Sequence, residues 1–227
     1  MQNSSTPLVE RVPFLAGVTF LGGYLDAYTY LTRGGVFANN HTANMAKLGI
    51  TAAQGDFAGA MACLVPILGC VLGAFASELV RVCFPGHHDW RKRALILELL
   101  ALLLVGFIPA AVPDAVVNTT LSFVTGFQLC LFRSCRWGAH NTTICTGNLR
   151  AVGQFLFGAI HQRTRDTVSR LVFYACLVFS FVVGSAVGVP ICGLLGGPAS
   201  WIGCIVSALL VAAIYMDERG TREKEAA

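Results

Sequence analysis

Thr42-Ala43-Asn44-Met45, with Gly49 five residues after the Asn, and Thr146-Gly147-Asn148-Leu149, with Gly153 five residues after its Asn, decide how this chain is read. Around them Gly22, Leu25, Gly34, Thr42, Asn44 and Gly49 recur at a spacing of 104 as Gly126, Leu129, Gly138, Thr146, Asn148 and Gly153. Both segments are polar and glycine-bearing, and both lie among long apolar runs. A duplicated chain whose apolar segments are interrupted in corresponding places points to a central site at the seam between its halves.

The runs themselves set the class. Apolar residues make up 55% of the chain and charged residues 12%, against about 25% charged in an average soluble domain. A bilayer core of roughly 30 Å needs about 20 apolar residues per helix. Six stretches qualify, at 12–31, 58–79, 94–112, 120–131, 171–194 and 200–216, the fourth being the shortest. Runs such as Leu95 to Ile108 do not alternate, so the spans read as helices and not as barrel strands. The nine cysteines are scattered without a C-x-x-C pair, which suggests neither a metal nor a disulfide framework. Glu10, Arg11 and Asp26 argue against reading the first run as a secretory signal. The expectation is one membrane domain over 1–227, with repeats at about 12–112 and 117–216 and short polar tails at 1–7 and 217–227.

Lys and Arg orient such a chain, because cytoplasmic loops are enriched in them. With a cytoplasmic N-terminus, fourteen basic residues fall inside, including Arg91, Lys92, Arg93, Arg133, Arg136, Arg150, Arg163 and Arg165. Only Arg33 and Lys47 fall outside. Both termini are therefore expected in the cytoplasm, in a plasma or inner membrane. Three spans separate the repeat starts, and an odd number reverses the direction of the second copy. The expected fold is all-α integral membrane, about six transmembrane helices in two inverted three-helix repeats, each with a polar re-entrant or broken segment. A second correspondence, at a spacing of 111, matches Val71, Gly73 and Ala74 with Val182, Gly184 and Ser185. Gly69 with Gly73 and Gly184 with Gly188 have the G-x-x-x-G spacing that lets helix backbones approach closely.

Candidate site residues follow from cost. An aspartate at mid-span costs roughly 2.5 to 3.5 kcal/mol on insertion scales, so Asp26 is either a functional carboxylate or one reached by water near its helix end. Asn39, Asn40, His41, Thr42 and Asn44, with His140, Asn141, Thr142, Thr143, Thr146 and Asn148 in the second half, are too polar to face lipid. Each copy reads as a loop leading into a short helix that dips into the protein, with Thr42 and Thr146 near its start, where backbone N–H groups can hold an anion. Plain capping is the alternative. The substrate-binding set is thus Asp26, Asn39, Thr42, Asn44, Asn141, Thr146 and Asn148. Glu78 with Arg81 reads as a helix-face ion pair, and Glu98 as a side chain that snorkels to the surface or joins a proton relay. The sequons at Asn40, Asn118 and Asn141 carry no weight under this topology.

Gly22-Gly23-Tyr24-Leu25-Asp26-Ala27, followed by the Thr-Ala-Asn and Thr-Gly-Asn segments, resembles the YoaK-like family of small multi-pass membrane proteins, over nearly the whole chain. The resemblance implies an integral membrane protein and names no substrate. Asp26, Ala27, Asn44 and Asn148 occupy its motif positions; the stretch from Ala38 to His41 departs from it.

The reading is a secondary transporter or facilitator of a small polar or anionic solute, with Asp26 coupled to proton or cation binding. A non-transporting scaffold is the alternative. An intramembrane enzyme is disfavoured, since no H-E-x-x-H or G-x-S-x-G motif appears. No cofactor or metal is expected. The partners are the bilayer and a small solute, a homo-oligomer is left open, and nucleic acid is excluded by a net charge of only +4.

Overall fold

The computed structural model describes residues 7–84, 90–132, 134–142 and 145–226. Residues 1–6, most of the N-terminal tail, lie outside this set, as do Arg133 and Thr143.

Among the described residues the fold is eight α-helices: α1 (Val12–Thr32), α2 (His41–Ala53), α3 (Phe57–Cys83), α4 (Trp90–Val105), α5 (Asp114–Leu129), α6 (Thr146–His161), α7 (Arg165–Leu195) and α8 (Ser200–Ala226). A two-residue hairpin, β1 (Ser134–Cys135) and β2 (Gly138–Ala139), precedes α6. Local chemistry starts the helices. The Asp56 carboxylate accepts from the Gly59 amide at 2.9 Å to cap α3, and the Thr164 hydroxyl accepts from the Thr167 amide at 3.2 Å to cap α7. Gly196, at φ +61, closes α7 in a conformation that favours glycine.

Three helices are long and apolar enough to cross a membrane: Phe57–Cys83, Arg165–Leu195 and Gly197–Thr221. Their outward faces leave Phe75, Val82, Phe179, Leu194 and Leu209 exposed, a surface that suits lipid and not water. The other expected spans form helices in the same places. At 16 residues each, α4 and α5 reach about 24 Å at 1.5 Å per residue, less than the roughly 30 Å of a hydrocarbon core. The structure also moves several limits. The 120–131 run is helical from Asp114, the helix of the 94–112 run stops at Val105, and the expected polar tail from 217 continues α8 to Ala226.

The packing crosses between halves: α1 lies on α7, α5 on α3, and α4 on α8. Glycines permit the closest approaches. A Cβ on Gly23 would strike the Phe181 carbonyl, and one on Gly184 the Phe20 carbonyl. Likewise Gly126 sits on the Cys70 carbonyl and Gly73 on that of Phe123. The second set reproduces the first at an offset of 103 on α1 and α5 and of 111 on α3 and α7. In the first helix of each half, then, the structural match is Gly23 with Gly126 and Phe20 with Phe123, one residue away from the Gly22–Gly126 match read at 104. The G-x-x-x-G pairs are spent inside the chain, Gly69 and Gly73 on α5, Gly184 and Gly188 on α1.

Between α4 and α8 the Ser200, Cys204 and Ser207 side chains donate to the Leu102, Leu99 and Leu95 carbonyls, so the two helices run antiparallel. Two apolar clusters result. One, around Leu15, Leu95, Phe132 and Phe173, lies toward the start of α1; the other, around Leu25, Leu102, Val117 and Ala199, lies toward its end.

The ends of the bundle differ in charge. At one, the buried Arg33 guanidinium donates to the Ile108 carbonyl at 3.1 Å, stands 3.8 Å from Asp114 and lies against Gly197. At the other, Arg11 pairs with Asp217, Arg91 with Glu10 and Lys92 with Glu218. Glu78 and Arg81 form the expected helix-face pair at 3.1 Å.

Gly184→Leu should destabilise the detergent-purified protein by the overpacking cost of about 1 to 3 kcal/mol or more, read as a lower thermal unfolding temperature. Gly193→Leu, where a Cβ meets nothing within 4 Å, should leave it near the wild-type value.

Candidate functional site

After Arg33 the chain turns back along α1. The Asn39 amide nitrogen donates to the Gly22 carbonyl at 2.8 Å, and Gly22 lies roughly 16 Å back along the helix from Arg33. A backbone sent into a bundle exposes N–H and C=O groups that must find partners there. Asn44 supplies them. Its Oδ1 accepts from the Phe37 N–H at 3.0 Å and its Nδ2 donates to the Phe37 carbonyl at 2.7 Å. Next along, the Ala38 N–H donates to Thr29 Oγ1, and the Ala38 carbonyl accepts from Ser122 and Thr125 of α5. Asn40 then caps α2, accepting from the Ala43 amide at 3.3 Å.

The second segment repeats the clamp. Asn148 Oδ1 accepts from the Asn141 N–H at 3.2 Å and its Nδ2 donates to the Asn141 carbonyl at 2.6 Å. Here the spacing is 104 for both partners, as the sequence indicated for Asn44 and Asn148. The surroundings are different. The β1–β2 hairpin is held to α7 by Tyr174, which donates to the Ala139 carbonyl at 2.8 Å, and by Arg170, which donates to that of Trp137 at 3.1 Å. Trp137 stacks on Phe173, and His140 meets the same ring edge-on. Burial holds the His140 imidazole below its ordinary value.

Asp26 stands where the two segments approach. It is 4% exposed and accepts from the Asn39 N–H at 2.7 Å, with the Asn40 amide also directed at it. From the other segment comes Cys145, the residue before α6: burial pushes its thiol up to about 12, and the nearby Asp26 carboxylate acts in the same direction. Both short helices therefore begin beside one buried carboxylate. Their aligned N–H groups place partial positive charge there.

The candidates sort accordingly. Asp26 and Asn39 are together, and Asn39 Oδ1 is buried without a partner. The Asn44 and Asn148 side chains are tied up in backbone clamps, and Asn141 enters the second clamp through its backbone N–H and C=O. Thr42 and Thr146, each in the first turn of its helix, are exposed. Missed by the sequence reading was Cys145, which looked like any other scattered cysteine; its place one residue before Thr146 was the available signal. Glu98 does not reach the surface: it is 2% exposed on α4. No hydrogen bond or ion pair joins Asp26, Glu98 and a histidine among the described residues. Nor do three His, Cys, Asp or Glu side chains gather there to hold a metal.

A family model described as "Protein of unknown function (DUF1275)" matches residues 14–213. No curated protein and no solved structure matches the chain.

Asn44→Ala and Asn148→Ala should each cost about 1 to 3 kcal/mol, because each strands a part-buried N–H and C=O. Thermal unfolding in detergent reads this, and Thr42→Ala should fall within about 0.5 kcal/mol of wild type.

Proposed function

The chain belongs to the DUF1275 family, and we propose that it is a secondary transporter or facilitator for a small polar or anionic solute, built as six spans in two inverted three-helix repeats. The likeness to YoaK-like membrane proteins, carried by Gly22 to Ala27 and the two small-Asn segments, belongs to the same reading. One observation carries it: the buried Asp26 accepts from the Asn39 N–H just before α2 and is an electrostatic neighbour of Cys145 just before α6.

The chemistry follows from charge. Two helix starts offer roughly half a positive charge each, which the ionised Asp26 offsets. Once Asp26 takes up a proton, that positive potential is free to hold an anion, so proton and anion bind together. Rocking one half against the other around this fixed point exposes it to alternate sides. The α1–α7 and α3–α5 contacts, each joining one half to the other, are the surfaces such a motion must carry or shear.

In proteoliposomes tested against a panel of small anions and neutral polar solutes, wild type should take up a solute faster under an inward proton gradient. Asp26→Asn should lose that acceleration by about tenfold or more while still exchanging solute. Equal gradient dependence in both proteins would overturn the role of Asp26. Topology has its own check. Reporters inserted at Gly55, after α2, and at Arg163, after α6, should fall on opposite sides of the membrane; the same side for both sinks the inverted arrangement.

A scaffold reading has one observation in its favour: Asn44 and Asn148 are wholly used in holding their own segments. Under it no solute in the panel moves faster through wild-type vesicles than through protein-free ones.

A further inference from the structure

Away from Asp26, a second carboxyl lies deeper in the bundle. Glu98 of α4 is 2% exposed and Gln128 of α5 is 1% exposed, and the Gln128 amide is the side chain that the Glu98 carboxyl faces. Three of their polar atoms, Glu98 Oε2, Gln128 Oε1 and Gln128 Nε2, are buried without a hydrogen-bond partner. The place is a polar break between apolar clusters. Leu95, one turn before Glu98, belongs to the first cluster, and Leu102, one turn after, to the second.

The polar groups of α8 beside α4 are engaged elsewhere: Ser207, Cys204, Trp201 and Ser200 each donate to a carbonyl of α4. On α5, Thr125 donates to the Ala38 carbonyl. The cations of the α4 start are engaged elsewhere: Arg91 with Glu10 and the Leu131 carbonyl, Lys92 with Glu218, Arg93 over the Trp90 ring. Among the described residues no charged side chain pairs with Glu98.

An ionised carboxylate buried without a countercharge is costly for a bundle to hold, and it sheds that cost by taking a proton. The Gln128 amide has the complementary shape for the acid. A carboxylic O–H donates to the amide oxygen while the amide N–H donates to the other carboxyl oxygen, closing a ring of two hydrogen bonds. One proton thus satisfies all three orphaned atoms. Without it, Gln128 can offer Nε2 to the carboxylate, and its own oxygen stays stranded.

We infer that Glu98 and Gln128 form a proton-holding site separate from Asp26, in which the proton sits on Glu98 and is shared with the Gln128 carbonyl. The site deepens the transport reading, on which its use in coupling rests, by giving the protein a second acid for an exchangeable proton. Its occupancy is independent of any solute.

Infrared difference spectroscopy on the purified full chain in detergent tests this. At neutral pH wild type should show a protonated-carboxyl C=O band that moves on labelling with isotopic glutamate and is missing from Glu98→Gln. Gln128→Leu should shift the band to higher frequency, because the acid loses its partner. The label needs no substitution, so the assignment to glutamate stands or falls even if a variant fails to fold. Absence of a glutamate band from wild type at neutral pH, or its persistence in Glu98→Gln, overturns the proposal. So does a wild-type spectrum that shows only ionised glutamate together with a melting temperature raised by sodium ions, since the pair would then be a cation site. None of these readouts depends on flux, so failure here leaves the Asp26 experiment standing.

Discussion

Interrupting a helix inside a protein bundle is affordable only if the loosened backbone finds partners on the spot, and here a single side chain does it in each half. The Asn44 and Asn148 amides each take up the N–H and C=O of one residue seven positions earlier, Phe37 and Asn141. An amide is the one short side chain that offers a donor and an acceptor in the same plane. Aspartate would lack the donor and serine the reach. With the turn fixed, the following residues start a helix, and that start faces inward. Asp26 is placed by the same device, since the first clamp delivers the Asn39 N–H to it.

Much of this was legible in the sequence. The duplicated Thr-small-Asn segments marked the two clamps, and each of the six apolar runs falls on a helix, three of them long and apolar enough to cross a membrane. What the sequence misjudged is instructive. Reading Gly22 against Gly126 kept one spacing of 104 through helix and loop alike, whereas the carbonyl contacts match Gly23 with Gly126. A single residue gained between the helix and the clamp is invisible to spacing alone, because Gly22 and Gly23 are both glycine and only backbone contact tells them apart. Asn44 and Asn148 presented the opposite problem. Polar residues in a membrane protein invite a ligand role, and a side chain wholly engaged with its own backbone has the same composition as one facing a solute. Glu98 was read two ways, as snorkelling to the surface or joining a proton relay: five residues from Arg93, it lies close enough to a basic cluster in sequence to suggest a surface partner, yet it is buried on α4.

The glycine contacts also explain how the two halves are joined. Each half contributes two helices to pairs with the other, α1 with α7 and α3 with α5, and the close approach at Gly23, Gly73, Gly126 and Gly184 leaves no room for side chains between backbones. Dispersion forces across such surfaces need no water to drive them, which suits a medium where the hydrophobic effect between helices is absent.

The two inward turns are fastened to different helices. The first is tied to α1 and α5 through Thr29, Ser122 and Thr125, which are hydroxyl-to-backbone links. The second is held to α7 by the Tyr174 and Arg170 hydrogen bonds to the Ala139 and Trp137 carbonyls and by the Trp137 and His140 rings against Phe173. Removing the Tyr174 hydroxyl or the Arg170 guanidinium therefore loosens the second turn while every link of the first stays in place.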